Sequence, residues 1–242
     1  MKHLLLYILL LIGTTVIAQP YYNISSDWCK MGLKGKVKEM KQKIHLSKDG
    51  ITQGYTLRTI QFSNNGQCTQ FIIEEYENGQ SKRSGQYTDF SYLKNDSYTA
   101  TTYNVSSGQR SISSIQKHYI RHVSENSYVN ITIYQSGKKR HTQYEFNKDQ
   151  KLHHQHTYQL NGKDTIHVNE ISFTYDANSR ISATYDNSIE SCLASITLPE
   201  VRKIETTKKD NKGNAVKTAT YLKVKEAYQL LYTSDITYTY YD

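Results

Sequence analysis

Phe173-Thr174-Tyr175-Asp176-Ala177-Asn178-Ser179-Arg180-Ile181 is the stretch whose reading decides the fold. Ile171, Phe173 and Tyr175 alternate with Ser172 and Thr174, and a period of two puts each set on one face of a β-strand. Asp176, Asn178 and Ser179 are turn formers, and the apolar pattern resumes at Ile181. The unit is therefore strand, tight turn, strand. Shorter copies read Phe62-Ser63-Asn64-Asn65-Gly66-Gln67, Tyr144-Glu145-Phe146-Asn147-Lys148-Asp149-Gln150 and Tyr238-Thr239-Tyr240-Tyr241-Asp242. Positions 146 and 175 are 29 residues apart, whereas 175 and 240 are 65 apart, which leaves room for a decayed copy near Lys209 to Asn214. The 84 residues from Phe62 to Phe146 leave room for two more.

The same alternation recurs in Val129, Ile131 and Ile133 against Asn130 and Thr132, and in Ile236, Tyr238 and Tyr240 against Thr237 and Thr239. Glu77-Asn78-Gly79, Lys94-Asn95-Asp96, Gln135-Ser136-Gly137, Asn161-Gly162 and Asn211 to Asn214 supply further turns. The two prolines, Pro20 and Pro199, leave the long middle free to form ladders. Leu33 to Leu46 reads as the first strand. Ser188 to Glu200 lacks alternation and reads as a loop or a single helical turn. The expected fold is all-β: antiparallel β-hairpin repeats forming an extended, twisted or curled sheet, with residues 32–242 as one β-repeat domain.

Residues 1–18 read as a signal peptide: Lys2 gives the basic start, Leu4 to Ile12 the apolar core, and Val16-Ile17-Ala18 the small-residue cleavage site. Residues 19–31 form a lead. Gln19 rather than cysteine follows the junction, so no lipid anchor is expected, and the chain is expected to be periplasmic, cell-surface or secreted. Tyrosine occurs 22 times against 5 Phe and 1 Trp, and the hydrophobic fraction is 37%. That balance suits thin sheets with one wet face. An outer-membrane barrel is opposed by the polar residues that interrupt nearly every strand, because lipid-facing positions need an apolar band. The formal net charge of +8 is scattered along the chain, which argues against nucleic acid and allows attraction to anionic glycan or lipopolysaccharide.

The Phe173-x-Tyr175-Asp176-x-x-Ser179-Arg180-Ile181 pattern resembles the YD, or RHS-type, repeat of bacterial secreted proteins, with Ser179 where that family usually has glycine. Gly32-Leu33-Lys34-Gly35-Lys36-Val37-Lys38 is similar to the opening strand of uncharacterised Gram-negative exported proteins with degenerate repeats of this kind. The resemblance implies antiparallel hairpins, an envelope or secreted setting and no catalytic residues.

Reactive constellations are sparse. His141, His154 and His156 meet on one face if Phe146 pairs with Lys151, a grouping able to hold zinc or copper, although solvent-facing histidines are the plainer reading. Cys29, Cys68 and Cys192 have no metal-ligand spacing, and one pair can close in an oxidising compartment while the third stays free. Ser191-Cys192-Leu193-Ala194-Ser195 lacks nucleophile-elbow punctuation, and Glu74 and Glu75 point to opposite faces of a strand. No cofactor, metal or catalytic residue is therefore assigned. The functional expectation is a non-enzymatic exported protein presenting a broad sheet to glycan or other cell-envelope components, with a structural envelope module that contacts proteins as the alternative.

Overall fold

The computed structural model describes residues 26–48, 51–77, 81–94, 96–106, 109–161, 164–186 and 199–242. The signal segment, Cys192 and most of the irregular stretch before Glu200 lie outside the described residues. A short helix α1 (Asp27–Met31) precedes fourteen strands: β1 (Val37–Lys48), β2 (Ile51–Phe62), β3 (Cys68–Glu77), β4 (Ser81–Lys94), β5 (Ser97–Ser106), β6 (Gln109–Ser124), β7 (Ser127–Tyr134), β8 (Lys139–Phe146), β9 (Leu152–Asn161), β10 (Asp164–Tyr175), β11 (Ser179–Asp186), β12 (Glu200–Lys209), β13 (Ala215–Val224) and β14 (Ala227–Tyr240).

Each strand pairs antiparallel with the next, and β1 also pairs with β14, from Val37 opposite Tyr240 to Leu46 opposite Tyr232. The sheet is a closed barrel. This corrects the expectation of an extended or curled open sheet, and with it the likeness to an open YD-type array. The reason is physical. A period-two pattern specifies strands and their faces, yet it does not say which strand meets the first one. A long twisted meander that coils on itself removes both unpaired edges by joining them.

The copies of the aromatic motif mark one end of this barrel. Phe62, Phe146, Tyr175 and Tyr240 each close an even-numbered strand, and the connections after β4 and β6 fill the two gaps between Phe62 and Phe146. A short polar side chain caps the turn in the best copies. Asp176 Oδ1 accepts from the Asn178 and Ser179 backbone N–H groups at 2.8 and 2.5 Å. Asn147 Oδ1 accepts from Asp149 and Lys151, both at 3.0 Å, and Asp210 Oδ1 from Lys212 and Asn214 at 3.0 and 2.8 Å. The tyrosine hydroxyls then tie turns to neighbouring walls: Tyr175 donates to Leu152 O at 2.6 Å and Tyr238 to Ala215 O at 2.9 Å. The repeat is thus a ring of Asx-type turns.

Helix α1 sits inside that ring. Ser26 caps it by accepting from Cys29 N at 3.2 Å, and Gly32, at φ +65°, ends it in the left-handed conformation. Gly66 O accepts from Asp27 N and Trp28 N at 2.9 and 3.3 Å, Asp27 Oδ2 accepts from Cys68 N at 2.6 Å, and Trp28 Nε1 donates to Val37 O at 2.9 Å. Farther on, buried Asn214 accepts from Lys34 N at 2.7 Å and donates to Lys34 O and Tyr240 Oη, each at 2.8 Å. Two apolar clusters grow from the helix. Cys29 packs with Tyr128, Phe146, Leu152 and Phe173 on one side. Trp28 and Leu33 pack with Val37, Met40, Phe62, Cys68 and Ile236 on the other.

Candidate functional site

The lumen is the site the fold builds. Beside α1 a cavity of about 800 Å³ runs from the turns at Asp176–Ser179 and Lys209–Asn214 up the wall to Thr184, Glu200 and Tyr232. Its apolar lining includes Met40, Leu152, Ile171, Phe173, Ile204 and Ile236. Seven basic residues line it, Lys30, Lys34, Arg58, Lys151, Arg180, Arg202 and Lys209, against two carboxylates, Asp176 and Glu200, an excess of five positive charges. The Arg202 guanidinium meets Glu200 at 2.5 Å, and the Arg180 guanidinium stacks 5.4 Å from the Phe173 ring centre. Arg58 sits on one rung between Gln42 and Ile73, and its Nε is buried without a hydrogen-bond partner.

The rest of the lumen near α1 is aromatic and polar. Lys30 pairs with Asp27 and lies 5.7 Å over the Tyr144 ring. Burial opposes its charge, but Asp27 and the surrounding tyrosine hydroxyls hold its pKa above the ordinary lysine value. On the adjoining wall Tyr98 stacks on His118 at 4.4 Å, Asn130 Nδ2 donates to Tyr98 Oη at 3.1 Å, and Thr132 Oγ1 bonds His118 Nδ1 at 3.1 Å. Asn130 and Thr132 therefore face the lumen, and Ile131 and Ile133 face outward. On this strand the polar set is the inner one.

Burial pushes the His118 imidazole down to about 4, with Lys30 adding to the fall and Asn130 opposing it. A histidine of ordinary pKa in the unfolded chain takes up a proton first as pH falls. The native state therefore loses stability from about pH 6.5 downward, with the full loss reached near pH 4. Its size is about 3 kcal/mol. Between pH 7.5 and 4.5 the melting temperature of the native protein is expected to drop several degrees more than that of His118→Gln. Equal drops would remove His118 as the cause.

The outer wall is charged on β1 and on β12 to β14. Met40 and Gln42 line the lumen, so Glu39, Lys41, Lys43 and His45 point outward, as do Lys203, Glu205, Lys217 and Asp235 by the same alternation. Ion pairs lace this surface: Lys41 to Glu39 at 2.9 Å, His45 to Asp235 at 2.9 Å, and Lys217 to the same Asp235 at 3.6 Å. The hydrogen bond from His45 and the charges of Lys217 and His45 keep the Asp235 carboxyl below its usual range, against the effect of burial.

The histidines expected to meet lie on this outer wall in a different register. Phe146 pairs with Leu152 rather than Lys151, so His141 stands opposite Tyr158, His156 opposite Gln143 and His154 opposite Glu145. A bulge at Glu145/Phe146 absorbs the offset. His154 Nε2 instead meets Glu170 at 2.8 Å, and His156 lies 3.7 Å from the same carboxylate. Among the described residues no three His, Cys, Asp or Glu side chains are arranged to hold a metal ion. Cys29 and Cys68 are free and buried in separate clusters, and burial raises their thiols to about 11 and 12. Such thiols are poor nucleophiles. The lumenal arginines were the residues that sequence reasoning missed. The one local signal was at Arg202, in phase with Ile204 on β12; Arg180 alternates with Ser182 and Thr184, a polar set that gives no such sign.

No family model matches the chain, and no curated protein matches it in sequence. Among solved structures it is similar to a porin-like protein from Bacteroides uniformis ATCC 8492, with a TM-score of 0.50 and 10% identity over 85% of this chain and 98% of that one. A porin-like protein from Bacteroides vulgatus ATCC 8482 aligns with a TM-score of 0.39 and 10% identity over 84% and 98% of the two chains. At such identity the first of these likenesses speaks to the fold: a closed antiparallel barrel in place of an open repeat sheet.

Proposed function

We propose that this is an exported, non-enzymatic binding protein of the cell envelope whose ligand occupies the barrel lumen, and that the barrel stands in water rather than in lipid. The carrying observation is the distribution of polarity across the wall. A membrane barrel turns an apolar band about 25 Å tall toward lipid. Here the outward positions of β1, β12, β13 and β14 hold Glu39, Lys41, Lys43, Lys203, Glu205, Lys217 and Asp235, and the largest apolar clusters are inside. Each such lysine costs about 2–4 kcal/mol at a bilayer midplane, and each carboxylate less. Closure also takes away the broad open sheet on which glycan binding was expected, since many of its tyrosines turn into the lumen around α1. The concave surface that remains is the cavity, within the size range of small-molecule sites.

Expressed from Gln19 onward, the protein is expected to purify from a detergent-free extract as a folded species and to leave dye-loaded liposomes intact. Recovery only from detergent-solubilised membranes, or dye release, would place the barrel in the bilayer and end this reading.

A further inference from the structure

We infer that the lumen takes an anionic amphiphile, a ligand with one carboxylate, sulfate or phosphate head on an apolar body; this rests on the lumenal-binding reading above. Three observations converge on that class. First, the cavity lining carries seven Lys and Arg against two carboxylates; Glu200 is engaged by Arg202 and Lys30 by Asp27 just outside the lining, which leaves five cations against Asp176 alone. A concave surface with that excess has a positive potential, since clefts lined by one sign of charge focus field lines.

Second, Arg58 is half-buried on the inner face and keeps one buried donor unpaired. Its Nε has no hydrogen-bond partner, its rung neighbours are Gln42 and Ile73, and among the described residues it forms no ion pair. Arg140, which shares the inner face of β8 with Thr142, also leaves its Nε buried and unpartnered. A buried polar atom without a partner is costly, so it marks the place where a missing acceptor belongs. A planar guanidinium suits an oxyanion in particular, because its fork matches two oxygens at once.

Third, the cavity has an apolar side. Leu152, Ile171, Phe173 and Ile204 stand near the turn end by α1, and Ile236 shares a rung with Gln42 and Arg58. A simple inorganic anion would leave that surface wet, and a neutral glycan would leave the arginines unpaired. An apolar body with one acidic head satisfies both. The lysines at the turn end, Lys34, Lys151 and Lys209, extend the positive lining to the rim, where they steer such a ligand inward.

Calorimetric titration with dodecanoate, dodecan-1-ol and sodium sulfate tests the assignment on the protein expressed from Gln19. Dodecanoate is expected to bind, and the alcohol and sulfate to bind at least about tenfold more weakly. Arg58→Gln is expected to weaken dodecanoate about tenfold and to leave the alcohol unaffected. Arg202→Gln serves as a second variant should Arg58→Gln fail to fold. If the alcohol binds as tightly as the acid, the lumen is a binding site but the anionic class is wrong. If sulfate alone matches dodecanoate, the apolar body is wrong. If none of the three binds to protein that is folded without detergent, the assignment falls while the water-exposed barrel stands. Unchanged dodecanoate affinity in both arginine variants also overturns it.

Discussion

Replacing Tyr128 with alanine is expected to destabilise the barrel by about 3–5 kcal/mol, the range for deleting a buried aromatic ring. The side chain is 1% exposed, and its ring lies 5.0 Å from Tyr144, 6.1 Å from Phe146 and 6.2 Å from His122. It is the keystone of the cluster that holds Cys29 of α1 against β8, β9 and β10. Its hydroxyl contributes nothing to that role, being buried without a hydrogen-bond partner. Tyr128→Phe should therefore be neutral or stabilising, since removing an unpaired buried polar group relieves a desolvation cost. Urea unfolding of the two variants separates ring from hydroxyl. A phenylalanine variant as unstable as the alanine one would show that the hydroxyl is bonded in the native protein.

Gly66→Ala is expected to cost roughly 3 kcal/mol or more, through two effects that can be separated. The residue has φ +82°, where any L side chain is strained, and a Cβ built on it stands 2.6 Å from the Trp28 ring. The ring must shift, which disturbs its bond to Val37 O and the two backbone bonds that Gly66 O accepts from α1. Gly137 is the natural control. Its φ is +79°, yet nothing lies within 4 Å of a Cβ there, so Gly137→Ala should show the backbone strain alone, about 1 kcal/mol. Trp28 is the single tryptophan, so its emission reports the event directly. A red shift in the Gly66 variant only is expected. Equal losses in both variants, with no shift, would mean that α1 does not rest on that turn.

Much of the wall was legible from residues alone. Asn64-Asn65-Gly66, Gln135-Ser136-Gly137 and Asn211 to Asn214 fall where strands reverse, because each holds a glycine at the positive φ the turn needs. Ile171, Phe173 and Tyr175 share the inner face as their spacing demands. Glu125-Asn126 and Lys225-Glu226 were not singled out as turns, and Lys225 itself takes φ +55°. Closure was illegible for a different reason: pairing Val37 with Tyr240 depends on the accumulated twist of the whole meander. Polar residues interrupting the strands bear on lipid contact and carry no information on whether the sheet closes. The inner histidine, His118, gave no local sign of its role, because its partners Tyr98 and Thr132 come from β5 and β7. The lumenal arginines escaped for a related reason. A guanidinium beside polar strand residues looks solvated until closure turns that face inward.

The seam between β1 and β14 makes the barrel an all-or-nothing object in time as well as in space. Val37 begins the first strand and Tyr240 ends the last, so the two residues that complete the hydrogen-bonded circle are separated by the whole run of strands. Until β14 emerges, every partly assembled form is a ribbon with two open edges, the geometry that pairs with strands of other chains. Contacts so distant in sequence also form slowly, since the closure entropy must be overcome before they stabilise anything. The last strand thus acts as a latch. A chain with α1 already in place by β1 and β3 still exposes a sticky border at each side, and it loses that hazard only when the final tyrosines dock.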